Sequence, residues 1–452
     1  MNTLERLRHD GIGKLLWELS LPAIVGTVVN ALYNVVDRLF IGQGCGRDAI
    51  AGVALAFPFM MILVAFGTLI GVGSGAFLSI KLGERNRVDA EKVLGQCVAV
   101  KIIFFVTLPV IGLLFLDTLL PLFGGTPEAI PYARDYLRII LYGNLFSHLS
   151  FGLSNLMRAE GNAHSSMRCM LVGAAANTLL DPLFIFGFGM GVAGAAWATN
   201  LAMALSALYA FHHYLARNSV VRLRLRRIRI YPRMIGPVFA IGLSPFIIQL
   251  MAGAVNIAFN RSFLRWAADT QAATVEIAAM GLANSVTFLF LMPIFGLTQG
   301  MQPIVGYNHG ARCMGRVKDA YLLTMKLATA FCVGISLVVL ATAWPIVRCF
   351  TADPALLTAG ARGLRLYVCL FAVIGVPIVT ITYFQSVGRP LLGILLSMLR
   401  QMGLLIPLIL LLPRLWGVIG IWLAAPVSDL LSSAITLIVV ASELRRFKEA
   451  AP

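Results

Sequence analysis

Apolar residues dominate the chain in long runs broken by short charged or glycine-rich stretches. These runs fall at 15–41, 49–76, 93–116, 136–157, 168–187, 191–215, 234–260, 277–303, 320–346, 364–386, 391–412 and 417–441. Roughly 20 helical residues, at about 1.5 Å each, cross a hydrocarbon layer about 30 Å thick, so every run is long enough to span a bilayer. Lipid offers the backbone no hydrogen-bond partners, and the runs lack strand-like alternation, which leaves α-helix as the structure that satisfies them. The pattern predicts an all-α membrane protein of twelve transmembrane helices.

Composition sharpens this reading. The 452 residues are 59% apolar and only 12% charged, with a mean hydropathy of +0.86, whereas about a quarter of soluble-protein residues are charged. No stretch is left over for a separate soluble domain, which argues against a soluble enzyme, a secreted disulfide scaffold and a DNA-binding protein. The seven cysteines, Cys45, Cys97, Cys169, Cys313, Cys332, Cys349 and Cys369, form no C-x-x-C pair and read as small apolar fillers. His212 and His213 are adjacent and diverge by about 100° on a helix, so they suit an interfacial position better than a shared metal. The Gly-x-Gly-x-Gly at 71–75 lacks the strand context of a dinucleotide loop and reads as close helix packing. With no P-loop and no nucleophile elbow, the sequence predicts no enzyme.

The net charge of +16 is concentrated rather than spread. With both termini on one side, most Lys and Arg fall on that side, and Arg217, Arg222, Arg224, Arg226, Arg227, Arg229 and Arg233 crowd the loop between spans six and seven. The positive-inside rule then places this loop and both termini in the cytoplasm, in a multi-pass protein of the plasma (inner) membrane. The cluster reads as a topogenic loop touching anionic lipid, not as a nucleic-acid patch. Arg6, Arg8 and Lys14 before the first run resemble the start of a signal peptide, but the run is too long and carries no convincing cleavage site, so it is expected to remain as span one.

Six spans precede the basic loop and six follow, and the halves are similar in sequence. Pro22 with Asp37-Arg38 is matched by Pro245 with Asn260-Arg261 at an offset of 223, and Ile50-Ala51 by Ile277-Ala278 at 227. Gly73, Gly83 and Gly161 are matched by Gly300, Gly310 and Gly388, also at 227, and Gly191-Val192-Ala193-Gly194 by Gly417-Val418-Ile419-Gly420 at 226. The expected organisation is an N-terminal six-helix bundle at 1–215, a basic cytoplasmic linker at 216–233 and a C-terminal six-helix bundle at 234–452. An even helix count keeps both copies in one orientation, related by an axis along the membrane normal, as in transporters whose halves rock about a substrate.

Three acids lie well inside predicted spans: Asp37, Asp181 and Asp429. A carboxylate at that depth costs on the order of 2.5–3.5 kcal/mol, which makes each a candidate functional group. On span one, Asn30, Tyr33 and Asp37 share a face; on span five, Asn177 and Asp181 are an i, i+4 pair, and Pro182 should free the carbonyl of Thr178. Helix rise puts Asp37, Asn177, Asp181 and Thr199 of span six at similar depths, about 7–12 Å below the external turns at 42–46 and 187–191. Their oxygens would form a small hard-cation site, or a carboxylate pair whose mutual repulsion lets it take up a proton. The second half carries Asn260, Ile406 and Ala425 where the first has Asp37, Asp181 and Thr199, so the charge belongs to one copy only. Asp429 has no obvious partner and is assigned to helix packing, bonded to Ser428 or Ser432. The structural alternative is that all these groups only bind helices together, at about 0.6–2 kcal/mol per hydrogen bond.

Several segments carry a resemblance: Asn-Ala-Leu-Tyr-Asn-Val-Val-Asp-Arg-Leu-Phe-Ile-Gly at 30–42, Leu-Ala-Phe-Pro at 55–58, Arg-Ala-Glu-Gly at 158–161, Gly-Val-Ala-Gly-Ala-Ala-Trp-Ala-Thr at 191–199 and Gln-Gly-Met-Gln-Pro-Ile-Val-Gly-Tyr-Asn at 299–308. With the topology, they make the chain resemble the MATE (multidrug and toxic compound extrusion) transporters over almost its full length. The resemblance implies a V-shaped pair of six-helix bundles working as an antiporter, exporting organic, often cationic and aromatic, compounds against inward Na⁺ or H⁺, with no other cofactor. It assigns cation or proton coupling to Asp37, Asn177, Asp181 and Thr199, which would ligate Na⁺ if sodium is the ion. It assigns drug contact to Asn30, Tyr33, Asn155, Met170 and Met203. A lining of Tyr, Asn and Met suits promiscuous binding of flat cations. Relatives that couple through the second bundle carry acids on spans seven and ten; here span seven offers Gln249, and span ten Tyr367, Thr380, Thr382, Tyr383 and Gln385. The rival reading is a flippase for lipid or lipid-linked oligosaccharide, which a strongly cationic cavity would favour and these mostly uncharged spans do not. A monomer is expected, with membrane lipids and small organic molecules as partners.

Overall fold

A computed structural model describes residues 3–45, 47–122, 129–216, 219–351 and 353–449. Arg217, one arginine of the predicted basic cluster, and Gly46, in the predicted external turn, lie outside them. Helices α1 (Thr3–His9), α2 (Ile12–Cys45), α3 (Arg47–Gly83), α4 (Arg87–Leu122), α5 (Ile130–Ala159), α6 (Ala163–Pro182) and α7 (Gly191–Leu215) make up the first half. The second comprises α8 (Pro232–Trp266), α9 (Thr270–Gly310), α10 (Met314–Arg348), α11 (Pro354–Val368), α12 (Gly375–Ser386), α13 (Pro390–Met398), α14 (Ile406–Leu411) and α15 (Pro413–Glu449).

All twelve predicted spans fall on this framework. Among the described residues, ten helical segments are long and apolar enough to cross a membrane, and α11 with α12, bent by 41°, would make an eleventh. The twelfth, α5, is 30 residues long but less apolar, because it carries Asn144, His148 and Asn155 along its length as well as Arg134, Asp135 and Arg138 near its start, and most of it is buried among its neighbours. It packs on α3, α4, α6 and α7, so protein rather than lipid surrounds it. The outer face of α4, by contrast, exposes Ile102, Val106, Val110, Leu114 and Phe115, the surface that a lipid-facing helix presents.

The two halves meet along crossed pairs. α2 lies on α9 and α3 on α8, which the sequence repeat exchanges for one another. Glycines bring these backbones together: Gly73 lies against the Val238 carbonyl, Gly242 against that of Leu69, and Gly296 against Ile24. Side chains then stitch the seam, with Ser20 Oγ donating to Leu297 O (3.3 Å) and Thr27 Oγ1 to Met292 O (3.1 Å). The N-terminal segment is strapped across it as well, because Asn308 and Arg316 of the second half donate to the Leu7 carbonyl and Arg316 also to that of Asp10.

The basic linker differs from a loop lying wholly on lipid. It docks back on the first half through a short turn at Leu225–Arg227: Arg224 and Arg227 pair with Glu91, Val221 is buried, and the Tyr231 amide donates to Gln96 (2.9 Å). Arg222 and Arg226 remain exposed.

Candidate functional site

The polar centre of the first half is built from three helices. Asp181 closes the last turn of α6, and Pro182 ends the regular hydrogen-bond ladder there; the chain continues as a wider π turn, Leu183–Gly187. Such turns arise where the i→i−4 pattern is broken and leave backbone groups free to reorganise. Asn177, one turn earlier, points its amide at both neighbours: Nδ2 donates to Asp181 Oδ1 (3.1 Å) and to Thr199 Oγ1 of α7 (3.4 Å). Asp37 of α2 faces Asp181 closely enough for the two carboxyl groups to interact directly. Asn177 and Asp181 are fully buried, and Asp37 and Thr199 half-buried. Packing of α2, α6 and α7 thus brings all four predicted residues, already matched in depth, into one cluster.

Among the described residues, no Lys or Arg forms an ion pair with Asp181, and Asn177 Oδ1 and Asp181 Oδ2 are buried without a protein hydrogen-bond donor. Buried acceptors such as Asn177 Oδ1 and Asp181 Oδ2 are groups that a hard cation or a proton would satisfy.

The predicted substrate residues divide into groups. Asn30 is exposed and Tyr33 half-buried on the face of α2 that leads to Asp37. Asn155 and Met170 are joined by a side chain the sequence reading passed over: Arg158 donates to Asn155 Oδ1 (2.8 Å) and Ser166 Oγ (2.6 Å), with Met170 Sδ at 3.8 Å. Met170 packs on Gly26 of α2, which carries this group to the helix of Asp37, and Met203 lies near Gly173 of α6.

Comparison with known families decides the assignment of the fold. The MatE family model matches residues 22–183 and 263–411, one segment in each half. The chain belongs to the MATE family. The multidrug export protein MepA of Staphylococcus haemolyticus (strain JCSC1435) is 25% identical over 96% of this chain and 94% of its own length. A solved structure described as "protein A" is 38% identical, covers 97% of both chains and superposes with a TM-score of 0.89. The outward-facing conformation of a multidrug resistance MATE family transporter of the MOP superfamily, 23% identical over 99% of both chains, gives 0.92 and shares the fold.

Within this MATE chain several expectations need correcting. Asp429 is not held by Ser428 or Ser432: Arg400 Nε donates to its Oδ1 at 2.7 Å, Ser428 bonds the Arg400 carbonyl, and Ser432 bonds the Asp429 carbonyl. The partner lies 29 residues away on another helix, beyond the reach of local spacing. The two histidines do diverge, but His213 is buried against Glu160 (2.7 Å) rather than interfacial, while His212 is exposed. Nor are the spans as uncharged as they read. Lys101, inside the predicted run 93–116, is fully buried; Gly152 leaves the room it fills, and among the described residues its ammonium donates to the Gly67 carbonyl alone, at 3.4 Å. The signal for Lys101 and Arg158 was in the sequence, but averaging over apolar runs conceals one cation in twenty residues.

Proposed function

We propose that the protein is a cation-coupled antiporter that exports organic, often cationic and aromatic, compounds by alternating access. One observation carries this reading: among the described residues Asp181 is buried beside Asp37 and bonded by the Asn177 amide with no Lys or Arg paired to it, whereas the likewise buried Asp429 is neutralised by Arg400. Two carboxyl groups this close in a medium of low dielectric disfavour double ionisation, so a cation or proton entering the cluster is strongly favoured. Asn177 and Thr199 would complete an oxygen shell for Na⁺; for H⁺, the pair would share one proton.

Asn30, Tyr33, Asn155, Met170 and Met203 would contact the exported compound. The Arg158 and Gly26 contacts link Met170 to the α2 helix that carries Asp37, so drug and coupling ion would compete through the position of α2. Whatever one ligand does to the affinity of the other is reciprocated. The name of the relative as a multidrug export protein supports the substrate class. With both termini in the cytoplasm of a plasma membrane, the seam contacts of Ser20 and Thr27 on α2 would lie toward the cytoplasmic side, the end at which the halves would have to separate to admit a compound from inside the cell. The protein would act as a monomer, without other cofactors.

The test is efflux of a fluorescent cationic dye from proteoliposomes under separately imposed pH and Na⁺ gradients, comparing wild type with Asp37→Asn. Loss of gradient dependence in a folded variant supports the assignment and identifies the ion, whereas normal transport by Asp37→Asn refutes it. The buried Lys101 and Arg158 favour a second reading, a flippase for anionic lipid-linked substrates, which moves ahead if wild type drives no dye under either gradient.

A further inference from the structure

Four helices end at the same side of the molecule with the same cap. After α3, α5, α9 and α12, the chain turns through a left-handed residue whose amide, with that of the next residue, bonds back to the last turn: Arg85 (φ 59°), Gly161 (φ 87°), Arg312 (φ 60°) and Gly388 (φ 70°). These are two repeat pairs, each at offset 227. Glycine is the residue suited to this conformation, and a side chain there is strained. The α5 and α12 caps use it; the α3 and α9 caps, which meet at the seam between the halves, both place arginine instead.

The two arginines converge. With the half-buried Arg8 of α1, these exposed arginines line an open depression over the seam together with Gly83, Gly310 and Ala311. Glu84 also lines it, but is engaged by Lys81 at 2.7 Å. Among the described residues, Arg8, Arg85 and Arg312 form no ion pair or hydrogen bond through their side chains. Three unneutralised guanidinium groups from three segments, two of them held in a conformation that glycine would fill with less strain, are the donor set for a multiply charged oxyanion.

We propose that this depression binds a phosphate group, whose bridging of Arg85 on one half to Arg312 on the other holds the halves together at this end. A phospholipid headgroup and a free phosphate offer the same chemistry. The site rests on the seam geometry; only its effect on the transport cycle rests on the proposed function.

The test needs no transport. Hydrogen exchange at residues 81–88 and 308–315 is measured in the full chain in phosphatidylcholine nanodiscs, with potassium phosphate against potassium chloride at matched ionic strength, and again in nanodiscs containing phosphatidylglycerol. Slowing of about tenfold or more in phosphate identifies the free anion, and slowing in phosphatidylglycerol alone identifies the headgroup. The Arg85→Gly/Arg312→Gly double variant should fold at least as well, because glycine suits both caps, yet lose the slowing. No slowing of wild type by either source, or equal slowing in the variant, overturns the proposal.

Discussion

Gly83 lies against the backbone carbonyl of Tyr307, and the repeat returns the same contact from the other half, Gly310 against the carbonyl of Ile80. Residues 83 and 80 become 310 and 307 under one offset of 227, so the seam is closed by a single contact made twice. A methyl group at either glycine would meet backbone atoms that have no rotamer by which to move aside. Gly83→Ala and Gly310→Ala are each expected to cost about 1–3 kcal/mol and to favour separation at this end. Equilibrium unfolding would show the loss, and faster hydrogen exchange at 300–310 would show the separation. Gly315→Ala, where nothing lies near the new side chain, should do neither.

Arg400 and Asp429 neutralise each other inside the second half, at 2.7 Å. Removing one partner leaves a buried charge, so Arg400→Leu should destabilise by about 3–5 kcal/mol. Replacing both, as Arg400→Met with Asp429→Leu, should recover most of that, since an apolar pair needs no solvation. If the pair is structural, the double variant keeps gradient-driven efflux; loss of efflux in a stable double variant would move Asp429 into the transport machinery.

The contrast between these acids shows where sequence reading succeeds and where it stops. Depth along a helix is arithmetic, so the common depth of Asp37, Asn177, Asp181 and Thr199 followed from helix rise and loop positions, while their meeting in one cluster is the work of α2, α6 and α7 packing together. Which helices touch is tertiary information, and that is why Arg400, on a different span from Asp429, was not paired with it. The twelve spans were legible because each buries a continuous apolar run. Even so, the least apolar of them, α5, owes its polarity to being enclosed by protein, which no hydropathy average distinguishes from a weak span. The π turn after Pro182 was foreshadowed only as a freed carbonyl.

Asn177 donates one amide nitrogen to both Asp181 and Thr199. A hydrogen bond to a charged acceptor is worth about 1.5–3 kcal/mol. If the amide positions the carboxylate for the coupling ion, Asn177→Ala should weaken ion dependence roughly 10–100-fold and leave dye affinity in the ion-free protein nearly unchanged. The concentration of Na⁺ or H⁺ giving half-maximal efflux reads this directly. An equal loss of dye affinity would instead place Asn177 in the drug site.

Lys101 presents the opposite problem from Asp181, a buried cation with one carbonyl, at 3.4 Å, as its hydrogen-bond partner among the described residues. Burying an ammonium costs several kcal/mol that a single weak bond does not return. An apolar side chain of similar length should fit the space beside Gly152 with no such penalty, so Lys101→Met is expected to raise stability by about 1–4 kcal/mol in equilibrium unfolding. Destabilising groups that persist in a fold are often tied to its function, and Lys101 lies in the same half as the Asp37 and Asp181 carboxyl groups. The stabilised variant should therefore lose gradient-driven efflux at least in part. A variant that is more stable and fully active would reduce Lys101 to a tolerated defect, and a less stable one would show that its ammonium is better solvated than a single carbonyl allows.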